Sequence, residues 1–396
     1  MKLYKQNKFF KIKNINSSGK YRRVISFAGL KIKLKNKNKL AFWAGKSKKE
    51  KEELYYKRLE LLKQLKSYRE NQKYILTCYL ITYNQEHCIA RAIESILEQK
   101  TKYKYLIKIL DDASTDKTFD VCYEYAKKYP DKIELITAKQ NYYGALRPAL
   151  YENIETPYFC RLDGDDYWCH PSKIEDSINF LEENNDYVTY AHDNYNLNVL
   201  SGQKKSNIHD SEPNKNVTNE ISFDNFFYVH VSARIHRNVI DFKNEYRKLR
   251  CRDRILWYLF LSKGKAYYDD RIMSVYSIYP TSEFGSNPNF FKVLQRRLIC
   301  YKINKFLKYK FDNSFTQQVS DKSLKTMKKL FGKVLGWEFY HFKIFYIETI
   351  MYTLQSVFLT FFNSFKLLKV SENTTGYYSS ETLKTIEKVK QELKEY

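Results

Sequence analysis

The sequence is poor in the residues that mark turn-rich and disulfide-linked proteins. Among its 396 residues are 11 glycines, 7 prolines and 7 cysteines. So little glycine and proline argues against an all-β protein made of many short strands and tight turns. The cysteines are odd in number and include no Cys-x-x-Cys pair, so we expect buried or incidental thiols in a reducing compartment and no disulfide framework.

Several functional signatures are also missing. The sequence contains neither Gly-x-Gly-x-x-Gly nor a Walker A loop, which excludes the usual dinucleotide-binding and ATPase motifs. No two histidines have the spacing of metal ligands, so a zinc site is not expected. The longest uncharged apolar run, residues 349–365, has 17 residues, which suits a helix that is buried or lies on a membrane better than one that spans it. The basic N-terminus lacks a continuous apolar stretch, so a signal peptide is not expected.

Charge is distributed unevenly along the chain. The formal net charge is +24, and residues 1–50 hold 16 basic side chains and one acid, a net of +15. Residues 74–200 hold 13 basic and 21 acidic side chains, a net of −8. A basic exterior suits an anionic partner, and we expect the arm to hold a cytoplasmic protein on the inner face of the cytoplasmic membrane. A solvated tail, with a composition set by AT-rich coding, is the alternative.

Apolar strands alternate with amphipathic helices in the middle of the chain, which predicts an α/β fold with a parallel, doubly wound sheet. The predicted strands are 74–82, 105–110, 132–138, 158–162 and 187–191. Short strands are predicted at 24–27, 30–34, 229–235 and 266–268, and helices at 47–70, 253–262 and 380–396. The predicted regions are a basic arm and helix (1–72), an α/β domain (73–288) and a mainly helical region (289–396).

Acidic residues follow the ends of the predicted strands. The second strand runs into Asp111-Asp112, and the fourth runs into Asp163-Gly164-Asp165-Asp166. Ligands of open parallel sheets bind beyond the carboxyl ends of the strands. Carboxylates gathered on one rim repel each other unless a cation or a hydrogen-bonding ligand lies between them. Two carboxylates, completed by phosphate oxygens and water, suit Mg²⁺ or Mn²⁺, although an Asp-Asp pair alone is as often a turn or a helix cap.

Four motifs in this order resemble the family 2 glycosyltransferases of GT-A (Rossmann-like) fold. They are Thr82-Tyr83-Asn84-Gln85-Glu86, Asp111-Asp112-Ala113-Ser114-Thr115-Asp116, Asn141-Tyr142-Tyr143-Gly144 and Asp163-Gly164-Asp165-Asp166-Tyr167-Trp168. The resemblance covers roughly residues 73–285. The Gly-Asp-Asp-Tyr-Trp version of the last motif is similar to that of bacterial transferases that build capsules, lipooligosaccharides and other surface polysaccharides. The resemblance implies an inverting enzyme with a nucleotide-sugar donor, a divalent cation and a glycan or lipid-linked acceptor.

The resemblance also implies roles for single residues. Tyr83 and Glu86 would line the base pocket, and Asp112, with Asp111, would hydrogen-bond the base or ribose. Asp163 would contact the ribose side and, with Asp165, hold Mn²⁺ or Mg²⁺ on the diphosphate. Asp253 matches the acid that acts as catalytic base. The other residues assigned to the nucleotide-sugar site are Thr82, Asn141, Gly144, Arg147 and Gly164.

This sequence departs from the family pattern at several positions. Pro148 replaces the Asn that often follows the residue equivalent to Arg147. In Met273-Ser274-Val275-Tyr276-Ser277-Ile278-Tyr279, Ser277 and Tyr279 replace an Arg and a His, so water or another group would complete the metal shell. Residues 229–234 lie where acceptor-facing residues are expected, and a plain edge strand is the alternative there.

Two other functions stay open at this point. A haloacid-dehalogenase-type phosphatase also places Asp-x-Asp after a strand, although it requires Thr or Val where Tyr167 stands. A basic nucleic-acid-binding protein would explain the arm, but the ligand-binding rim is acidic and no RNA-binding motif is present, so we expect no nucleic-acid partner. The leading prediction is a glycosyltransferase (EC 2.4) with a UDP-linked donor.

Overall fold

The structure is a computed structural model. It describes residues 10–17, 20–27, 30–35, 48–69, 72–142, 146–208, 218–223, 225–243, 253–279, 303, 306–308, 310–311 and 380–393. Most of the predicted helical region 290–370 therefore lies outside the described residues. The chain divides into two compact units, Met1–Lys57 and Arg58–Tyr396, whereas the first boundary predicted from the sequence lies at residues 72–73.

The first unit contains a three-stranded antiparallel sheet. Its strands are β1 (Phe10–Ser17), β2 (Lys20–Phe27) and β3 (Leu30–Lys35), in that spatial order. The register pairs Lys13 with Val24 and Val24 with Lys33. The first strand was not predicted from the sequence. Helix α1 (Lys48–Lys63) follows and runs into the second unit.

The second unit begins with the predicted alternation of strands and helices. Four parallel strands form its centre: β4 (Leu76–Thr82), β5 (Tyr105–Asp111), β6 (Ile133–Thr137) and β7 (Tyr158–Asp163). The helices between them are α2 (Ile89–Leu97), α3 (Thr118–Lys128) and α4 (Leu146–Tyr151). These strands are almost wholly buried, as expected for a sheet covered on both faces.

The later part of the sheet differs from the prediction. Its elements are β8 (Tyr167–Trp168), α5 (Lys173–Glu183), β9 (Tyr187–Asn198), β10 (Lys204–Ser206), β11 (Glu220–Ile221), β12 (Arg234–Arg237), α6 (Asp253–Leu261) and β13 (Lys265–Ile278). The spatial order is β11-β13-β9-β12-β7-β4-β5-β6. Strand β12 runs antiparallel to β7 and β9, so the prediction of an all-parallel sheet is wrong here. No helix is described between β9 and β12, and parallel neighbours require a long crossover, most often a helix.

Helices cover both faces of the sheet. On one face α2, α3 and α5 bury apolar side chains that include Ile93, Phe119 and Ile178. On the other face α4 and α6 contribute Tyr151 and the fully buried Trp257. The α/β architecture predicted from the alternating pattern is confirmed.

A further helix, α7 (Ser380–Leu393), packs against α4. The sequence predicted this helix and described it as charged with little apolar surface. Ile386 and Val389 are nevertheless buried in the same core as α4 and α6, so α7 belongs to the second unit. Within the described residues, no helix combines the length and the apolar character needed to cross a bilayer.

Candidate active site

The carboxyl ends of the central strands lie at one edge of the sheet. The register pairs Thr82 with Asp111, Asp111 with Thr137, and Ile81 with Asp163. The strand-end motifs predicted to bind the nucleotide therefore meet here. Gly144, from the third motif, lies outside the described residues.

Asp111 is fully buried and has protein partners. Its carboxylate lies 3.3 Å from Arg58 Nη1, and accepts hydrogen bonds from Thr137 Oγ1 at 2.9 Å and the Ser114 backbone N–H at 3.1 Å. Burial raises the pKa of Asp111, with Arg58 opposing that rise. The geometry thus gives Asp111 a part in holding the loop after β5, where Ala113 has a φ of 61°, and its contact with a nucleotide stays a prediction.

Asp112 connects the first three motifs. Its backbone N–H donates to the Thr82 carbonyl at 2.9 Å, and its Oδ1 accepts the Tyr142 backbone N–H at 2.8 Å. Tyr83, which follows Thr82, and Asn141, which precedes Tyr142, are both half-buried. Glu86 is exposed, and its Oε2 accepts the Lys117 backbone N–H at 2.8 Å, just before α3. Asp112 thus holds the loop at Tyr142 against the end of β4, and its contact with a base or ribose stays a prediction.

The Asp-x-Asp turn follows β7 and is tightly packed. The Gly164 N–H donates to the Ile81 carbonyl at 2.9 Å, which fixes the turn over β4. Burial and the neighbouring Asp163 raise the pKa of Asp165 to about 6, with Gln85 and Arg91 opposing the rise. Arg91 also donates to the Asp165 carbonyl at 3.3 Å. Asp165 is therefore a carboxylate whose charge is stabilised by any cation that binds beside it.

Asp166, the third acid of the turn, is buried inside the domain. Its Oδ1 accepts the Ser277 backbone N–H at 2.9 Å, which ties the turn to β13. Burial and then Asp165 and Asp163 raise its pKa well above the usual range. Its Oδ2 lies 3.8 Å from His230 Nδ1, and burial lowers the pKa of that imidazole to about 4. Through its hydrogen bond with Ser277, Asp166 has a structural role.

Asp163 and Asp165 fit a magnesium or manganese ion that arrives with its substrate. Such ions are held by one or two carboxylates, and phosphate oxygens and water complete the shell. Among the described residues no three His, Cys, Asp or Glu side chains gather as a closed metal site, so a permanently bound ion has no full protein shell there. At the position of the family's His, burial, Cys88 and then Asp165 raise the pKa of Tyr279.

Arg161 joins the Asp-x-Asp turn to the predicted catalytic base. Its Nε lies 3.2 Å from Asp163 Oδ1, and its Nη2 lies 2.6 Å from Asp253 Oδ1. Burial alone would raise the pKa of Asp253, but Arg161, Arg147 and His230 hold it well below the usual range. The sequence analysis missed Arg161, although one signal was present, because a charge inside an apolar strand is rarely buried without a partner.

The segment predicted to face the acceptor surrounds Asp253. In place of a continuous strand, residues Val231–Ala233 form a 3₁₀ turn before β12. Lys173 Nζ donates to the Ser232 carbonyl at 2.5 Å and holds this turn. The buried Arg234 donates from Nε to the His230 carbonyl at 3.2 Å, and from Nη2 to the Asp253 carbonyl at 3.4 Å. The turn thus fixes the start of α6, where Asp253 lies.

Asp193, which follows the fifth predicted strand and is our next candidate if Asp253 is not the base, is placed differently. It is fully buried in β9, and its carboxylate accepts hydrogen bonds from Ser206 Oγ at 2.5 Å and from the backbone N–H groups of Asn194 and Ile208. These contacts attach the hairpin of β9 and β10 to the sheet. Asp253 is only partly buried, so an acceptor has better access to it than to Asp193.

Comparison with known proteins identifies the class. Residues 77–242 match the model of glycosyl transferase family 2, a range that begins in β4 and ends after β12. The family 2 resemblance predicted from the four motifs is therefore confirmed over residues 77–242, and the chain is a glycosyltransferase. The phosphatase and nucleic-acid-binding alternatives lose their support.

Individual relatives are similar in the same region. EpsE of Bacillus subtilis (strain 168), a glycosyltransferase by name, is 28% identical over 228 residues, covering 57% of this chain and 80% of EpsE. The dTDP-rhamnosyl transferase RfbG of Shigella flexneri is 28% identical over 242 residues, covering 55% of this chain and 78% of RfbG. The crystal structure of S. aureus TarS 1-349 in complex with UDP superposes with a TM-score of 0.47 at 17% identity, covering 65% of this chain and 75% of that one.

Proposed function

We propose that this chain is an inverting, metal-dependent glycosyltransferase that moves a sugar from a UDP-linked donor to a hydroxyl group of a surface-glycan acceptor. One observation carries the proposal: Arg161 brings together Asp163, from the Asp-x-Asp turn, and Asp253, from the start of α6. A donor-binding acid beside a separate acid that can take a proton is the arrangement that a single displacement requires.

The base pocket supports a pyrimidine nucleotide. Asp112 lies at the carboxyl end of β5, beside Thr82 and Tyr142. Tyr83 follows Thr82 and provides an aromatic face for a base. RfbG is named as a dTDP-sugar transferase, and thymine and uracil share the same hydrogen-bonding edge. Uracil is our choice between them on the family resemblance, with Tyr83 and Asp112 at the base pocket.

Asp163 and Asp165 are the residues that would hold Mg²⁺ or Mn²⁺. The ion would supply Lewis-acid stabilisation of the charge that develops on the departing nucleoside diphosphate. Arg161 occupies the Asp163 side of the turn, so Asp165 is the better ligand and Asp163 is left nearer the ribose, in the roles that the family resemblance implies. The chain's own contribution is to hold both carboxylates on a rigid strand end.

Asp253 would remove the proton of the acceptor hydroxyl. Its ionised form is favoured by Arg161 and by the N-terminus of α6. A carboxylate of low pKa is a weak base, but it suffices when the hydroxyl attacks a carbon with oxocarbenium character, because the proton is lost late. Attack from the side opposite the leaving group inverts the anomeric centre.

The acceptor and the location are proposed on less direct grounds. The surface-glycan acceptor rests on the similarity of the motif at Asp163–Trp168 to that of surface-polysaccharide transferases. Attachment to the inner face of the cytoplasmic membrane rests on the net charge of +15 in residues 1–50, where 16 basic residues outnumber one acid. Each basic residue near an anionic surface contributes about 1 kcal/mol.

The test is a transfer assay with a panel of UDP-, dTDP- and GDP-linked sugars and a mixture of oligosaccharide and lipid-linked acceptors. We expect product from a UDP-linked donor with Mn²⁺ and none in EDTA. Asp165→Ala should abolish turnover with an unchanged unfolding temperature, whereas Asp270→Ala, at an exposed acid of β13, should behave like the wild type. Full activity in EDTA would refute the metal requirement, and failure of every donor would refute sugar transfer.

A further inference from the structure

Arg161 is a charged residue inside an otherwise apolar, buried strand. Its exposed fraction is 2%, and both flanking residues, Cys160 and Leu162, belong to the core on the opposite face of the sheet. A buried guanidinium requires carboxylates close by, because an unpaired charge in the interior is strongly destabilising. The two that it has, Asp163 and Asp253, are both assigned to the reaction.

The alternation of side chains in β7 explains how these groups meet. Phe159, Arg161 and Asp163 lie on the same face because successive side chains point to opposite sides. Helix α6 lies against that face at two points: Phe260 contacts Phe159 with ring centroids 5.8 Å apart, and Asp253 pairs with Arg161 at 2.6 Å. The apolar contact fixes the end of α6, and the ion pair fixes its beginning.

The shape of the guanidinium decides what this ion pair can do. Nε and Nη2 lie on one edge of a planar group, which presents parallel donors to a carboxylate. Here Nη2 donates a hydrogen bond to Asp163 Oδ2 at 3.2 Å. The contacts of Nε with Asp163 Oδ1 at 3.2 Å and of Nη2 with Asp253 Oδ1 at 2.6 Å are ion pairs without hydrogen-bond geometry. Two carboxylates that would repel each other are thereby held side by side. Because Oδ1 of Asp253 contacts Arg161, Oδ2 is the oxygen that would accept the proton of the acceptor hydroxyl.

We propose that Arg161 is a positioning residue that joins the donor-binding Asp163 to Asp253 and fixes the orientation in which Asp253 takes the acceptor proton. This inference rests on the proposed function, because it assigns a part in the same reaction. Arg161 touches neither sugar nor acceptor in this role. Its effect passes through the two aspartates, so loss of the fork should lower turnover more than it lowers donor affinity.

The test is a double-mutant cycle between Arg161→Lys and Asp253→Asn. Lysine keeps the charge but cannot offer a planar fork to two carboxylates. We expect Arg161→Lys to lower kcat by about 10²-fold while the KM for the donor changes by less than about threefold. The kcat of the double variant should be no lower than that of Asp253→Asn alone. When two residues act as one unit, removing the second after the first causes no further loss of rate.

Controls separate positioning from simple loss of structure. Arg237→Lys in β12 is the matched control, because Arg237 bonds to the Tyr187 carbonyl and Tyr158 hydroxyl and to no carboxylate; its kcat should equal that of the wild type. Circular dichroism and thermal unfolding check the fold of each variant. If Arg161→Lys does not fold, Arg161→Gln takes its place in the cycle.

The outcomes are distinct. Wild-type kcat in Arg161→Lys, or losses that simply multiply in the double variant, would overturn the inference while leaving sugar transfer intact. A wild-type enzyme that transfers no sugar from any donor would instead remove the proposed function on which the inference depends. The inference is supported if both single variants lose kcat and the double variant loses no more than Asp253→Asn alone.

Discussion

At the scale of single residues, Gly164 shows how little room the Asp-x-Asp turn has. A Cβ at this position would lie 2.5 Å from Gln85 Oε1 and 3.0 Å from Ile89 Cδ1. Gln85 Oε1 already accepts a hydrogen bond from Thr82 Oγ1 at 2.8 Å, and Gln85 also supports the ionised form of Asp165. The absence of a side chain therefore lets the turn approach the start of α2 without moving the group behind Asp165.

Gly164→Ala should therefore affect both stability and donor binding. The added methyl group has to displace Gln85, and overpacking of this kind costs about 1–3 kcal/mol. Displaced Gln85 no longer supports Asp165, so UDP affinity in the presence of Mn²⁺ should fall. Thermal unfolding and calorimetric titration with UDP measure the two effects.

Gly264→Ala provides the comparison. A Cβ there would lie 2.7 Å from Val188 Cγ1 and 3.0 Å from the Asp186 carbonyl, at the amino ends of β9 and β13 and so at the opposite edge of the sheet from the site. It should lose stability and keep UDP affinity. Wild-type UDP binding by Gly164→Ala would show that the packing of the turn does not reach Asp165.

Asp253→Asn tests the base directly. Asparagine keeps the size of the side chain and can still cap α6, but it cannot accept the proton. Turnover should fall by about 10²-fold or more, with donor affinity little changed. The measurement is steady-state transfer together with UDP calorimetry.

Asp270→Asn, at an exposed acid of β13, serves as the control and should retain full turnover. If Asp253→Asn also retains it, the base lies elsewhere. Asp193 would not be an easy replacement, since its carboxylate already accepts hydrogen bonds from Ser206 and Ile208.

The residues of the site were predictable from the sequence to different degrees. The placement of Asp112 and Asp163 at one edge followed from their positions after apolar strands, because parallel strand ends meet. Arg161 was not found, because its meaning depends on Asp253, which is distant in sequence and reaches it only through the packing of α6 on β7. Asp166 likewise accepts a hydrogen bond from the backbone of Ser277, which is distant in sequence. No local sequence pattern reveals such a contact.

At the scale of elements, the alternating part of the fold was predicted well and the second half less so. β4 to β7 carry near-continuous apolar runs, which sequence patterns detect. β12 has only four residues, Arg234–Arg237, and two of them are basic, so its place between β7 and β9 has no local signature. β13, with 14 residues, was divided into two strands because the acids and Arg271 interrupt its apolar pattern.

The packing of α7 on α4 includes a buried ion pair whose contribution to stability can be measured. Lys390 pairs with Glu152, which directly follows α4, and their side chains are 14% and 5% exposed. Tyr142 donates from its hydroxyl to Glu392 at 2.5 Å, while its backbone N–H holds Asp112. Helix α7 therefore supports both α4 and the loop that contacts Asp112.

Lys390→Met should destabilise the second unit. It leaves Glu152 with its charge in a buried place, and breaking a buried ion pair from one side costs about 3–5 kcal/mol. UDP affinity should fall as well, because α7 also holds Tyr142 beside Asp112. Denaturant unfolding and UDP titration follow the two effects.

Lys388→Met is the matched substitution, because Lys388 lies on the exposed side of the same helix. Its stability should match the wild type within about 0.5 kcal/mol, as for most surface changes. Equal stability of the two variants would mean that the pair with Glu152 does not hold α7 in place.

At the scale of the whole molecule, the basic residues and the acids of the candidate site lie in different parts of the chain. Residues 74–200, with 21 acids and 13 bases, supply all the carboxylates assigned to the site except Asp253. Residues 1–50, most of the first unit, carry a net charge of +15. This separation suits an enzyme that binds a surface through one region and a nucleotide sugar through another.

We expect the protein to float with anionic liposomes at low salt and to be released at high salt. The attraction is electrostatic and is screened over about 10 Å at 0.1 M ionic strength. Flotation with phosphatidylglycerol vesicles, compared with neutral phosphatidylcholine vesicles, measures it. Replacing Lys11, Lys13, Lys31, Lys33 and Lys35 with Gln should abolish flotation and leave sugar transfer to a soluble acceptor unchanged.

A variant with the same change of charge in the second unit is the control. It replaces five exposed lysines, namely Lys127, Lys128, Lys132, Lys384 and Lys388, with Gln. It should still float, because the basic residues of 1–50 are unchanged. Equal loss of flotation in both variants would mean that total charge matters and the arm does not.

The pairing of Lys390 with Glu152 has a consequence for how the chain is made. The two residues are 238 positions apart. A ribosome that adds about 5–20 residues per second needs about 12–48 s to cover that distance. During this interval the nascent chain has α4 and the loop at Tyr142 without the helix that covers them, so their apolar surface is open to chaperones. The contacts of α7 with α4 and with Tyr142, beside Asp112, therefore form late in synthesis, after the central strands have emerged.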